Sequence, residues 1–80
     1  MWHVYILKCS DNTLYTGIAK NLSQRIAEHN SEKSQTKYTR ARQPVKLVFS
    51  KRKKTRATAA REEAQIKKLS RLEKLKYIKK

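Results

Sequence analysis

Tyr5, Tyr15, Arg25, His29 and one of the neighbours Glu62 and Glu63 are the side chains of this sequence whose types and order suggest chemistry. A phenol or an imidazole can take a proton from water, provided that it is held near that water in the right protonation state. For a phenol the demand is steep. Its free pKa is near 10, and bringing it to about 7 requires the phenolate to be favoured by roughly 4 kcal/mol. Nearby cations supply stabilisation of that sign, and this chain is rich in them, with 21 Lys and Arg against 6 Asp and Glu and a formal charge of +15. Such self-repulsion costs stability that an anionic partner restores, which makes nucleic acid the expected partner.

Whether the two phenols can act together depends on the elements that carry them. Trp2 to Leu7 and Thr13 to Ile18 are runs of aromatic and β-branched residues joined by Ser10-Asp11-Asn12, the signature of a β-hairpin. Side chains alternate between faces along a strand, so a one-residue slip moves a whole arm to the other side. A two-residue turn at Asp11-Asn12 would put Tyr5 and Tyr15 on opposite faces. A three-residue loop pairs Cys9 with Thr13, Leu7 with Tyr15 and Tyr5 with Gly17, and places both phenols on one face. The three-residue loop is the expected one, with bare backbone at Gly17 beside Tyr5.

Asn21 followed by Gln24 is an N-cap with a capping-box partner, opening a helix over about Leu22 to Asn30. Leu22 and Ile26 form its apolar stripe, and Arg25 and His29 flank that stripe at helical spacing. Alone, Arg25 reads as an arginine that lays its stem over the sheet with its head in solvent. His29 alone carries no more.

Ser31 to Gln43 reads as a basic loop with Lys33, Lys37, Arg40 and Arg42. Tyr38 within it could stack on a base or hydrogen-bond a phosphate, or anchor the loop against the sheet. Pro44 is tolerated before a third strand, Val45 to Phe49. Lys51-Arg52-Lys53-Lys54 then reads as a solvated turn that can also face phosphate, adding salt-sensitive affinity without sequence preference. Thr55 or Thr58 caps a helix to about Leu69 with Ala59, Ile66 and Leu69 inward. Both glutamates border that line, so periodicity cannot choose between them. Ser70 with Glu73 is a second capping box, opening a last helix with Leu72, Leu75 and Ile78 inward.

Eighty residues make one small domain, spanning 1–80, in which about 60% of the unfolded surface is buried at best. A large cavity is therefore not expected. One cysteine, Cys9, excludes an internal disulfide and provides no metal set by itself. No stretch has the look of a signal peptide or approaches a bilayer's thickness, so no membrane association is expected and a reducing cytoplasm fits.

In their order and spacing these motifs resemble the GIY-YIG endonuclease domain, and in particular its small stand-alone bacterial members of the UPF0213 kind. His3-Val4-Tyr5 stands at the first signature triplet and Tyr15-Thr16-Gly17 at the second. Asn21 to His29 is similar to the helix that follows, with its arginine at Arg25 and its histidine or tyrosine at His29. Ala59 to Lys67 resembles the helix that supplies a metal-binding glutamate, and the alanine four before and Ile-Lys three and four after select Glu63 over Glu62. The first triplet lacks its glycine and isoleucine but keeps its tyrosine.

The resemblance implies an α+β fold in the order β-β-α-β-α-α, a three-stranded antiparallel sheet flanked by helices. It also implies metal-dependent hydrolysis of DNA phosphodiester bonds with one divalent cation. Glu63 would hold Mg²⁺ or Mn²⁺, and with a single carboxylate the ion would be weakly held until substrate arrives. Arg25 would steady charge on the phosphoryl oxygens, Tyr5 or Tyr15 would take the proton from water, and His29 would support the nucleophile or tyrosine. DNA is expected as the partner rather than RNA, with poor sequence specificity unless another protein supplies it. The competing expectation from charge alone is a basic nucleic-acid-binding module without turnover.

Overall fold

The computed structural model describes residues 1–31 and 37–79, including the backbone but not the side chain of Lys37. The hairpin forms with the expected parity. Strands β1 (Trp2–Lys8) and β2 (Leu14–Ala19) are antiparallel, with Tyr5 opposite Gly17 and Leu7 opposite Tyr15. The Cys9 amide donates to the Thr13 carbonyl (2.9 Å) and the Asn12 amide to that of Cys9 (3.0 Å), closing the three-residue loop. Asn12 takes a left-handed φ of 68°, which asparagine accepts more readily than most residues. Asp11 Oδ1 accepts from the Thr13 amide and hydroxyl, fixing the turn from within.

The third strand, β3 (Lys46–Lys53), pairs antiparallel with the other edge of β1, so the sheet order is β2-β1-β3. β1 is thus central and covered on both faces, and Val4, Tyr5, Ile6 and Leu7 are all buried irrespective of parity. On one face Tyr5, Leu7, Cys9, Ala19 and Val45 pack with Leu22 and Ile26 of helix α1 (Leu22–His29). On the other, Val4 and Ile6 pack with Ala59 and Ile66 of helix α3 (Arg56–Lys67) and with Tyr77 and Ile78 of helix α4 (Arg71–Ile78). The α+β class, the antiparallel sheet and the flanking helices agree with expectation.

Three expectations are corrected. Lys51, Arg52 and Lys53 belong to β3 and not to a turn, because pairing with Val4, His3 and Trp2 continues through them; an edge strand accommodates such charge. The run from Ser31 to Gln43 contains one helical turn, α2 (Lys37–Arg40). On α4, Leu72 is 73% exposed; Tyr77 turns inward with Ile78, where its ring meets Phe49 at 4.9 Å between centroids. Both later helices start at capping boxes, Thr55 with Thr58 and Ser70 with Glu73, which settles the first cap as Thr55.

Candidate active site

Tyr5 and Tyr15 enter the same face from adjacent strands, with Gly17, the chain's one glycine, between them. A Cβ at Gly17 would stand 2.5 Å from the Tyr5 hydroxyl and 2.7 Å from its Cζ. The glycine is needed for room, not for backbone freedom. It lets the Tyr5 ring lie over β2 with its hydroxyl where a side chain at Gly17 would otherwise stand.

There the hydroxyl meets α1. Asn21 Oδ1 caps this helix on the Gln24 amide (3.0 Å), and two turns later His29 points down onto the sheet. The Tyr5 Oη lies 3.0 Å from His29 Nε2, and His29 Nδ1 lies 2.8 Å from Thr39 Oγ1 of α2. All three residues are at most 1% exposed. The Tyr15 ring stands edge-on to the same imidazole at 5.1 Å but remains half-buried. The far end of α1 is tied down by amides: Asn30 exchanges hydrogen bonds with the Val45 backbone, and Gln43 donates to the carbonyls of His29 and Ser31.

Arg25, one helical turn before His29, donates from Nη1 to Glu28 Oε2 (3.0 Å) and stands beside the Tyr5 hydroxyl. Its Nε is buried and has no hydrogen-bond partner among the described residues. The side chain as a whole is 43% exposed, so an anion's oxygens can meet the guanidinium at its open end. Arg25 also lines a groove of about 280 Å³ with Ala19, Lys20, Asn21, Gln24 and Glu28.

The electrostatics correct one premise of the sequence reading for Tyr5. Burial pushes its phenol up, and this outweighs the opposing pull of Arg25; the charges of Tyr15 and Glu63 add to the rise. Tyr5 is therefore a neutral phenol in the free protein. Burial and then the Arg25 charge push His29 down from its ordinary value, so the imidazole is neutral too.

The two glutamates that periodicity could not separate have different surroundings. Glu62 is committed. Its Oε1 pairs with Lys53 (3.0 Å) and Lys51 (3.4 Å), and its Oε2 accepts from the Tyr77 hydroxyl (2.9 Å). Lys53 foremost holds its carboxyl below the usual range, while burial and Glu62 push the Tyr77 phenol up to about 12. Glu63 has only a loose pairing with Lys67 (3.6 Å), and its charge is felt at the Tyr5 phenol. Among the described residues no group of three His, Cys, Asp or Glu converges, so a cation at Glu63 would have fewer than three such ligands. That donor set suits Mg²⁺, which keeps waters and takes substrate oxygens for its remaining positions.

Of the cations expected to meet nucleic acid, Lys33 and the side chain of Lys37 lie outside the described residues. Arg40 and Lys54 are exposed, as is Arg52, which sits opposite His3 on β1. Lys51 and Lys53 are on the Glu62 side of the sheet. Arg42 donates to Asp11 and to the Tyr38 carbonyl, and its guanidinium covers the Tyr38 ring at 4.1 Å. Tyr38 in turn neighbours Tyr15 at 5.9 Å, so it fastens α2 to the hairpin. Thr39 was not foreseen: a threonine in a polar, basic run gives no periodic signal, and its importance arises from the histidine it meets.

A protein-family model described as the GIY-YIG catalytic domain matches residues 1–76. The chain is 53% identical over 77 residues to a UPF0213 protein of Syntrophus aciditrophicus, covering 96% of this chain and 88% of that one. It is 49% identical over 76 residues to one of Staphylococcus haemolyticus, covering 95% and 92%. The solution NMR structure of a UPF0213 protein from Bacillus halodurans superposes with a TM-score of 0.63 at 39% identity, over 99% of this chain and 84% of that one.

Proposed function

Since this chain belongs to the GIY-YIG catalytic domain family, we propose that it is an endonuclease that hydrolyses DNA phosphodiester bonds at Tyr5, Tyr15, Arg25 and His29 on the α1 face, together with Glu63 of α3, whose charge reaches Tyr5. The observation that carries this reading is the partly exposed Arg25 guanidinium, held by Glu28 beside the buried Tyr5 hydroxyl and lining an open groove. A phosphate oxygen can accept from its exposed N–H groups, and a positioned arginine stabilises charge that builds on the phosphoryl group.

Glu63 would hold one Mg²⁺ or Mn²⁺, which supplies Lewis-acid polarisation of a phosphate oxygen and stabilises the leaving group. The protein's own residues divide the remaining tasks by burial. Tyr15 is half-buried and is the phenol that an attacking water can reach; Tyr5 and His29 are closed to solvent. Tyr5, hydrogen-bonded to His29 and beside Arg25, positions the guanidinium. Exposed cations such as Arg40, Arg52 and Lys54 would add affinity for the backbone without reading sequence.

The complete burial of Tyr5 and His29 and the charge of +15 favour a second reading, a nucleic-acid-binding module without turnover. Purified protein incubated with Mn²⁺ on single-stranded, duplex, flap and branched DNA separates the two. Cleavage that is lost in Arg25→Ala and Glu63→Ala supports the nuclease; salt-sensitive binding with no product on any substrate supports the module.

A further inference from the structure

We infer that Thr39 is a positioning residue: its hydroxyl accepts the Nδ1 proton of His29 and fixes the imidazole in the tautomer whose bare Nε2 faces Tyr5. The argument is a count of protons and lone pairs in a buried chain. The Tyr5 hydroxyl has one proton to give. Arg25 beside it is a donor only, so it can engage a lone pair of the phenol but cannot receive the proton. Among the described residues the acceptor within hydrogen-bond distance is His29 Nε2, at 3.0 Å.

If Nε2 accepts, a neutral imidazole carries its proton on Nδ1, and that proton points at Thr39 Oγ1, 2.8 Å away. The opposite tautomer would aim an N–H at a phenol already faced by the guanidinium. It would also leave the phenolic proton buried without an acceptor, a costly arrangement. The surroundings keep the imidazole neutral, since burial and the Arg25 charge both oppose its cation. With Thr39 in place, Tyr5, His29 and Thr39 form one directed chain of donors and acceptors beside Arg25. Its effect is to hold the Tyr5 lone pair toward Arg25 and hence to orient the guanidinium. The tautomer itself follows from the geometry alone; only its effect on cleavage rests on the nuclease reading.

The test uses ¹⁵N-labelled protein in a His3→Gln background, which leaves His29 as the one imidazole of the chain's two. Long-range ¹H–¹⁵N spectra near pH 7.5 should show a protonated Nδ1 and an unprotonated Nε2. Thr39→Val should move both nitrogens toward the averaged shifts of a mixed tautomer, and Thr39→Ser should restore the original pattern. Metal-dependent nicking should fall by about tenfold or more in Thr39→Val, an effect of the size expected when a pocket's geometry loosens, and recover in Thr39→Ser. A protonated Nε2 in the parent protein overturns the inference, as does a Thr39→Val spectrum identical to the parent. Because the parent spectrum is informative by itself, the inference stays testable even if Thr39→Val does not fold. If the parent shows the expected tautomer but never cleaves DNA, the tautomer stands and the nuclease reading fails.

Discussion

The two faces of the sheet each hold a tyrosine hydroxyl in a polar cluster, buried at Tyr5 and half-buried at Tyr77, yet they resolve their polar groups in opposite ways. On the α3 and α4 face, Glu62 meets Lys51, Lys53 and the Tyr77 hydroxyl, and those contacts join β3, α3 and α4. On the α1 face, Tyr5 and His29 are buried as neutral groups and the Arg25 Nε has no partner among the described residues; the charge of Glu63, which is loosely paired with Lys67 on α3, reaches this face at Tyr5. A completed polar cluster stabilises the fold, and an incomplete one retains capacity for something that arrives from outside.

Substitutions that exchange these roles would break the comparison. Arg25→Ala should lower the rate of plasmid nicking by about a thousandfold, the scale of losing a main stabiliser of transition-state charge, while circular dichroism and the melting temperature stay close to the parent. Full activity in this variant would remove the basis for calling the α1 face functional. The glutamates provide the crossed test. Glu63→Gln should reduce nicking by about a hundredfold with little change in urea unfolding, comparable to other losses of a single polar catalytic group. Glu62→Gln should instead lower stability by about 1–3 kcal/mol, because it removes the charge that half-buried Lys53 and the Tyr77 hydroxyl meet, while the refolded protein still cleaves. The reverse pattern would assign the two carboxylates the other way round.

Gly17→Ala sharpens the contrast further. The added methyl collides with the Tyr5 hydroxyl, so stability should drop by about 1–3 kcal/mol as in other overpacked sites, and the Tyr5 to His29 hydrogen bond should be lost in NMR spectra. The smallest effect is expected from pH. His29 has a lowered pKa in the folded chain, so the unfolded state binds more protons once pH falls below about 6.5. Stability from this group is complete above that value and is lost as pH falls toward the folded pKa. Unfolding midpoints measured at pH 7.5 and 5.5 should differ in the parent and converge in His29→Gln. The lowered carboxyl of Glu62 acts in a more acidic window, below its ordinary value, and so does not mask the change.

Much of this was legible in residue order because parity and helical spacing are geometric. A three-residue loop at Ser10-Asp11-Asn12, chosen over a two-residue turn, placed Tyr5 and Tyr15 on one face, and the interval from Arg25 to His29 placed both near the Leu22 and Ile26 stripe. What was not legible depends on contacts distant in sequence. Nothing local indicates that Lys51, Arg52 and Lys53 continue a strand, since their conformation comes from pairing with β1. Leu72 and Tyr77 exchange places because Phe49 and Glu62 offer the tyrosine a ring and an acceptor. Likewise the choice between Glu62 and Glu63 becomes physical only when the lysines of β3 are seen to occupy one of them. The effect of burial on Tyr5 was missed because the cations were counted and the covering helix was not.

The outer edge of β3 has one more consequence. Lys46, Lys51 and Arg52 are exposed along it, so two molecules that approached edge to edge would bring like charges together at the spacing of paired strands. Free copies therefore repel along the direction in which sheets most readily merge. Concentrated salt or a long polyanion would weaken that barrier, and clustering of this protein should begin under those conditions and not in dilute buffer.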